Sequence, residues 1–276
     1  IMSGGGVIGG LAGGVAEYEG FEAVELSGDA VYYTRLGRPG IGSTSVYEMA
    51  DTMTLIADRV NLPVIIDADT GFGNALNAQR TMRLYERAGA SALQVEDQTY
   101  PKRCGHLQNK SLIGADEMAG KVAAMADARQ SEDTLIIART DAIAVEGLSA
   151  ALERAEQYLE SGADILFIEA PQSNQQMEEI ITTFGARIPL LANMVEGGST
   201  PISSATELQE RGFSIAIFPG GIVRALARTA QDYYASLHAN GSNTAFMERM
   251  FDFDGLNEVI GTNVMLADGT RYDRQK

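Results

Sequence analysis

A chain of 276 residues has room for one large or two small domains, and its 45% hydrophobic and 21% charged residues are those of an ordinary globular protein, which excludes disorder and collagen-like repeats. The 21 Lys and Arg against 37 Asp and Glu leave a formal charge of -16, a field that repels nucleic-acid backbones and anionic membrane surfaces and leaves an anionic substrate dependent on a local site of Arg, metal or helix N-termini. The single cysteine, Cys104, excludes an intrachain disulfide and points to the cytoplasm; no run approaches the roughly 18 apolar residues of a membrane span.

Short β-branched or apolar runs bounded by turns alternate with helix-period segments to about residue 238. The predicted strands cover 6–9, 23–26, 63–67, 92–96, 135–139, 165–169, 189–193 and 215–218. The clearest helices between them are predicted at 45–60, 75–88, 115–128, 148–161 and 221–237. AGASALQVED and SGADILFIEA repeat one turn-and-strand unit. Eight strands predict a closed (β/α)8 barrel forming one domain, although a doubly wound open sheet shows a similar alternation. The segment 242–276 reads as an acidic helical tail of the same domain.

Polar residues close nearly every predicted strand: VELSGD, VIIDAD, LQVED, LIIART-D, LFIEA and LLANM. Catalytic groups of a barrel sit at those C-terminal ends, so Asp67, Asp69, Glu96, Arg139, Glu169 and Asn193 are expected at one site. Taken singly, such residues are also what any chain shows where a strand meets solvent. Asp67 and Asp69, with Glu96 acting through water, suit a hard divalent cation, Mg²⁺ or alternatively Mn²⁺; the competing role for Asp67 is capping or a structural hydrogen bond. Two histidines and one thiol make zinc improbable.

The connection after Glu96 exceeds the usual two to six residues and reads as a lid. At its centre Lys102, Arg103, Cys104, Gly105 and His106 form a cationic setting that depresses a thiol pKa; the bland alternative is a buried core cysteine. Arg139 is a candidate carboxylate clamp or the partner of Glu169 in a buried ion pair. NMVEGGSTP and FPGGIVR follow the last two strands, where glycine-rich backbone binds anions, and Arg224 is a second clamp candidate. None of the four lysines lies on a strand, which argues against a Schiff-base aldolase.

Together DADTGFGN, VEDQ, PKRCGH, ARTDA, FIEA and LANMVEGGSTP resemble the isocitrate lyase/phosphoenolpyruvate mutase superfamily, on the lyase side that carries KRCGH. The resemblance implies a (β/α)8 barrel with its last helix exchanged between subunits of a homotetramer, Mg²⁺, a gating loop at Cys104, and retro-aldol (retro-Claisen) cleavage of a malate-like 2-hydroxy di- or tricarboxylate. It assigns Asp67, Asp69 and Glu96 to the metal and Ser27, Gly28 and Arg139 to the oxo-acid carboxylate. Glu169, Asn193, Gly105, His106 and Arg224 fall to the rest of the substrate. Cys104 becomes the proton donor, tuned by Lys102, Arg103 and His106.

Three positions depart from the family pattern. Glu25 stands where a Tyr is common, Gly40 ends an L-G-x-P-D motif that usually supplies an acid, and Asp29 replaces a small residue or Tyr. Asp29 or Glu25 is therefore expected to take over part of the missing function. The segment NMVEGGSTP favours the 2,3-dimethylmalate lyase branch over methylisocitrate lyases. The alternatives are a phosphonomutase, an oxaloacetate hydrolase or decarboxylase, and a non-catalytic dicarboxylate-binding barrel.

Overall fold

The computed structural model describes residues 1–103, 105 and 109–273. Strand β1 (Met2–Gly6) leads to α1 (Gly10–Tyr18), and β2 (Ala23–Leu26) to α2 (Gly28–Val31), a π-helical turn (Tyr32–Leu36) and α3 (Val46–Arg59). There follow β3 (Val64–Asp67), α4 (Ala75–Arg87), β4 (Ala92–Glu96), α5 (Ala115–Ala128), β5 (Leu135–Thr140) and α6 (Leu148–Glu160). The barrel ends with β6 (Ile165–Ile168), α7 (Asn174–Phe184), β7 (Leu190–Asn193), α8 (Ala205–Arg211) and β8 (Ile215–Phe218), after which α9 (Gly221–Asn240), α10 (Phe253–Val259) and α11 (Thr262–Arg271) complete the described chain. The strands are parallel and pair in chain order, and β8 closes on β1 with Met2 opposite Ile215 and Gly4 opposite Ile217. The expected eight-stranded barrel is the fold.

Alternation along each strand sorts side chains between two cores. Val24, Leu26, Val64, Ile66, Leu93 and Val95 face outward and pack with Met53, Met82, Tyr85, Met118, Tyr158 and Phe184 of the helices. Ile65, Ala92, Ile137, Phe167, Leu191 and Ile217 fill the barrel interior. The same two-residue period carries the inward face from Ile65 to Asp67, from Ala92 to Glu96, from Ile137 to Arg139, from Phe167 to Glu169 and from Leu191 to Asn193. These five strands thus deliver a polar inward residue to the C-terminal end of the barrel.

Local signals account for the helices. Ser45 and Glu48 form a reciprocal capping box on α3, as do Asn74 and Asn77 on α4 and Ser204 and Glu207 on α8; each cap contributes about 1 kcal/mol. The repeated Ala-Gly-Ala and Ser-Gly-Ala turns end α4 and α6 with Gly89 at φ 96° and Gly162 at φ 102°, a conformation that costs a Cβ-bearing residue more.

The first strand differs from expectation, since it spans 2–6 and not 6–9. MSGGG has little β propensity, but its glycines let β1 lie close to β8: a Cβ on Gly6 would come within 2.6 Å of Pro219 O and 2.8 Å of Phe218 O. Pairing, and not side-chain preference, makes it a strand.

The chain divides into compact units 1–222 and 223–276. Within the second, Tyr233 packs edge-on against Phe246 with centroids 5.4 Å apart, and Arg249 pairs with Asp232 at 3.0 Å. Phe253, Val264, Met265 and Leu266 of α10 and α11 are exposed. No described helix is long and apolar enough to cross a membrane.

Candidate active site

Two buried aspartates after β3 are built into the backbone. Asp67 accepts the Gly28 N–H at Oδ2 (3.0 Å) and the Asp69 N–H at Oδ1 (2.8 Å). Asp69 turns the chain at φ 46°, an uncommon conformation that Asp tolerates better than most residues. Its Oδ2 accepts the Tyr32 hydroxyl at 3.3 Å. Gly28 is needed for this approach, because a Cβ there would lie 2.9 Å from Asp67 Oδ2 and 3.2 Å from Asp69 Oδ1.

The Lys102 ammonium sits 2.8 Å from Asp69 Oδ1 and 3.8 Å from Asp67 Oδ2. Burial would push this lysine down, but Asp69, Asp67, Glu96 and Asp29 outweigh it and hold the pKa well above the usual lysine range. Burial pushes Asp69 up, against the opposing pull of Lys102. Glu96 and Glu25 are pushed well above the carboxylate range, burial again being the main cause, with Asp67 and Asp29 adding to the effect on Glu25. Both Glu96 carboxylate oxygens and Glu25 Oε2 are buried without a hydrogen bond.

Across the mouth, Arg139 is gripped by Asp141 through Nε (2.9 Å) and Nη2 (3.1 Å). Arg139 Nε lies 3.3 Å from Glu96 Oε2, and its guanidinium stands 5.0 Å from the centre of the Phe167 ring. Lys110 donates to Asp141 Oδ1 at 2.8 Å and to the Gly105 carbonyl. Burial alone would raise Asp141, but Arg139 and Lys110 hold it well below the usual carboxylate range. Behind them Asp97 accepts the Asp141 N–H (2.9 Å), the Thr140 hydroxyl (2.7 Å) and the Tyr158 hydroxyl (2.9 Å). Arg154 flanks it at 3.4 Å. Asn193 Nδ2 donates to Glu169 Oε2 at 3.3 Å, and a Cβ on Gly105 would lie 2.9 Å from Glu169 Oε1 and overlap Arg139 Nη2.

The model of the phosphoenolpyruvate phosphomutase family matches residues 11–238. The chain belongs to that family. It is 40% identical over 242 residues to the 2,3-dimethylmalate lyase of Eubacterium barkeri, covering 88% of this chain and 83% of that one. It is 42% identical over 247 residues to the 2-methylisocitrate lyase of Aeropyrum pernix, covering 90% and 79%. A crystal structure of 2,3-dimethylmalate lyase superposes with a TM-score of 0.93 at 31% identity over 99% of this chain and 90% of that one. A phosphonopyruvate hydrolase in complex with oxalate and Mg²⁺ superposes with a TM-score of 0.87 at 28% identity over 99% and 94%.

Within this family barrel Glu25, Ser27, Gly28, Asp67, Asp69, Glu96, Arg139, Glu169 and Asn193 all fall on the C-terminal ends of strands or the residues just after them. Three details differ from the sequence reading. The Gly28 N–H donates to Asp67, so this amide is not directed at a substrate carboxylate. Lys102 faces Asp67 and Asp69, which makes it the cation of the acid cluster. Arg139 takes Asp141 as its bidentate partner, with the Glu169 charge also acting on it.

Arg103 is exposed, its backbone exchanging hydrogen bonds with the Gln98 side chain at 3.0 and 2.8 Å. Arg224 lies on α9 in the second unit. Cys104 and His106 lie outside the described residues. Tyr32, Lys110, Asp97 and Asp141 were not singled out from the sequence. The ARTD motif contains Asp141, and its position two residues after an inward Arg was the available signal.

The donor set fits a hard divalent cation. Carboxylates outnumber cations in a buried space, Glu25 and Glu96 have oxygens without hydrogen bonds, and an ammonium already bridges the two aspartates. Among the described residues no three Asp, Glu, His or Cys side chains enclose a metal position in this structure.

Proposed function

We propose that the protein is a divalent-cation-dependent carbon–carbon lyase that cleaves a malate-like 2-hydroxy di- or tricarboxylate, of the 2,3-dimethylmalate or 2-methylisocitrate type, to a 2-oxo acid and a second carboxylate. The observation that carries the reading is the buried acid cluster of Glu25, Asp67, Asp69 and Glu96 facing the Asp141-braced Arg139 across the barrel mouth. The lyase names of relatives at 40% and 42% identity support the reaction class.

Asp67 and Asp69, with Glu96 through water, would hold Mg²⁺ or Mn²⁺, which supplies a Lewis acid for the negative charge that develops on substrate oxygens. Arg139 binds a substrate carboxylate and is kept in place by Asp141, so little rotamer freedom is lost on binding. Glu169 and Asn193 orient the remainder of the substrate. Glu25 takes the hydroxyl proton at Oε2, the oxygen without a hydrogen bond, and burial, which pushes its pKa up, makes the carboxylate a stronger proton acceptor than an exposed one. Breaking the carbon–carbon bond leaves an electron pair on the departing fragment as an enediolate. Cys104 delivers the proton to that carbon, assisted by His106, while Arg103 keeps the loop positive and Lys102 serves the acid cluster. Ser27 lies beside the substrate carboxylate at the head of α2. The family resemblance assigns Arg224 to substrate binding and implies a homotetramer, in which apolar side chains exposed on α10 and α11 would be buried.

The test is Mg²⁺-dependent release of 2-oxo acid from 2-methylisocitrate, 2,3-dimethylmalate, 2-ethylmalate and oxaloacetate, with Cys104→Ser beside the wild type. Cleavage of a hydroxy acid, lost in the variant and in excess chelator, supports the reading. Inertness toward every hydroxy acid overturns it.

A further inference from the structure

Gly40 is buried, and its φ is not among the positive values of the chain, so backbone conformation does not explain why a glycine stands there. Space does. A Cβ on residue 40 would overlap Asp29 Oδ1 and lie 2.9 Å from Asp29 Cγ and 3.3 Å from Tyr32 Cδ2. Asp29 and Tyr32 are three residues apart in helical backbone and share a face. The same turn holds the acid cluster on both sides of Asp29 in the chain: Gly28 binds Asp67 through its backbone N–H and Tyr32 binds Asp69 through its hydroxyl.

Because the Asp29 carboxylate fills the volume that a side chain on residue 40 would enter, an acid can be delivered to this place from either position but not from both. The cluster beside it has the marks of a ligand site. Glu25 is 2% exposed with Oε2 lacking a hydrogen bond, and Glu96 is 1% exposed with both oxygens lacking one. The Asp29 charge acts on both Glu25 and Lys102.

We propose that Asp29 is a further carboxylate of the divalent-cation site, acting at its outer edge, and that residue 40 is glycine because Asp29 occupies the space its side chain would need. This rests on the cation-dependent reading above. It also decides between Glu25 and Asp29 as the replacement for an acid at position 40: Glu25 lies on β2 inside the barrel, whereas Asp29 reaches the position-40 volume itself. Asp29 is a positioning residue in this scheme, tuning the cation through its charge.

The experiment measures Mg²⁺ affinity by titration calorimetry for wild type, Asp29→Asn and the double variant Asp29→Ala/Gly40→Asp, with kcat and KM on the same samples. Thermal midpoints are taken for Gly40→Ala and Asp29→Ala/Gly40→Ala. Asp29→Asn, which keeps the shape and removes the charge, should weaken Mg²⁺ by about tenfold or more, and the relocated acid should restore affinity to within about threefold of wild type. Gly40→Ala should melt lower, and removal of the Asp29 side chain should recover the loss.

Mg²⁺ affinity within about twofold of wild type in Asp29→Asn overturns the inference. So does a folded double variant that regains nothing; should that variant not fold, Asp29→Asn decides alone. If wild type binds Mg²⁺ and cleaves no hydroxy acid, the lyase reading falls and the affinities still judge Asp29. If wild type binds no divalent cation, both fall.

Discussion

Asp141→Asn perturbs the joint on which the substrate clamp depends. Asp141 is fully buried and binds two buried cations, Arg139 through two hydrogen bonds and Lys110 through one at 2.8 Å. The amide keeps the shape but one of its two heads becomes a donor facing a cation, so at least one charged hydrogen bond is lost and two positive charges lose their counter-ion. Leaving a buried charge uncompensated costs about 3–5 kcal/mol, and we expect the variant near the lower end because Glu96 stands 3.3 Å from Arg139 and takes part of the load.

The pH dependence gives a second handle on the same residue. The folded-state pKa of Asp141 is depressed, so between that value and an unfolded value of about 3.9 the unfolded chain binds more protons than the native one. The stabilisation is therefore present above about pH 4 and is lost as pH falls through the depressed value. Urea denaturation at pH 7 and at several values from pH 5 downward reads both effects. Wild type should lose stability on acidification more steeply than Asp141→Asn, and KM for any cleaved carboxylate should rise in the variant as Arg139 swings free. A cost below about 1 kcal/mol at pH 7, or parallel acid profiles, would refute the reasoning.

Lys102→Met should leave Asp67 and Asp69 without their cation and lower the melting temperature of metal-free protein, with added Mg²⁺ raising it by more than in wild type; equal Mg²⁺ shifts in thermal melts would count against Lys102 as the cluster's counter-ion. Glu25→Gln has the opposite sign. The folded pKa of Glu25 is raised, so between about pH 4.3 and that value the native state binds the extra proton and wild-type stability falls as pH rises. The variant should be more stable than wild type at pH 8, with the gain shrinking toward pH 4 in paired denaturation curves. Cys104→Ser should lower kcat by about 10²–10⁴-fold with KM changed only a few-fold, as expected for removal of a general acid; a proportional loss through KM alone would assign the thiol to binding.

Most of the barrel was legible because its signal is local. A strand such as VIID or LQVE carries β-branched and apolar residues bounded by turns, and the switch from an inward Ile or Ala to an inward Asp67 or Glu96 marks the mouth two residues at a time. Strand β1 was misplaced because MSGGG is held by pairing with β2 and β8, a property of partners distant in the chain. Hydrogen-bond partners were less legible for the same reason. Arg139 could be aimed at the mouth from its register, but its bidentate pairing with Asp141 depends on the backbone after β5, which Asp97 fixes through the Asp141 N–H. Lys102 sits one residue from Arg103, yet its side chain reaches inward to Asp69 while Arg103 stays exposed, a difference of loop path that no periodicity encodes. The pairing of Asp29 with Gly40 was visible only as two separate oddities until the backbone brought them into contact.

Lyase chemistry at this site requires that a carbon–carbon bond break with proton delivery to the departing carbon. The direct measurement is NMR of the products formed in D₂O with Mg²⁺ from the substrate that the panel selects. Lyase action yields a 2-oxo acid and a second carboxylate carrying one deuteron at the carbon that left. Oxalate and acetate from oxaloacetate, with no cleavage of any hydroxy acid, would contradict it, as would phosphorus migration in a phosphonate with the carbon skeleton intact.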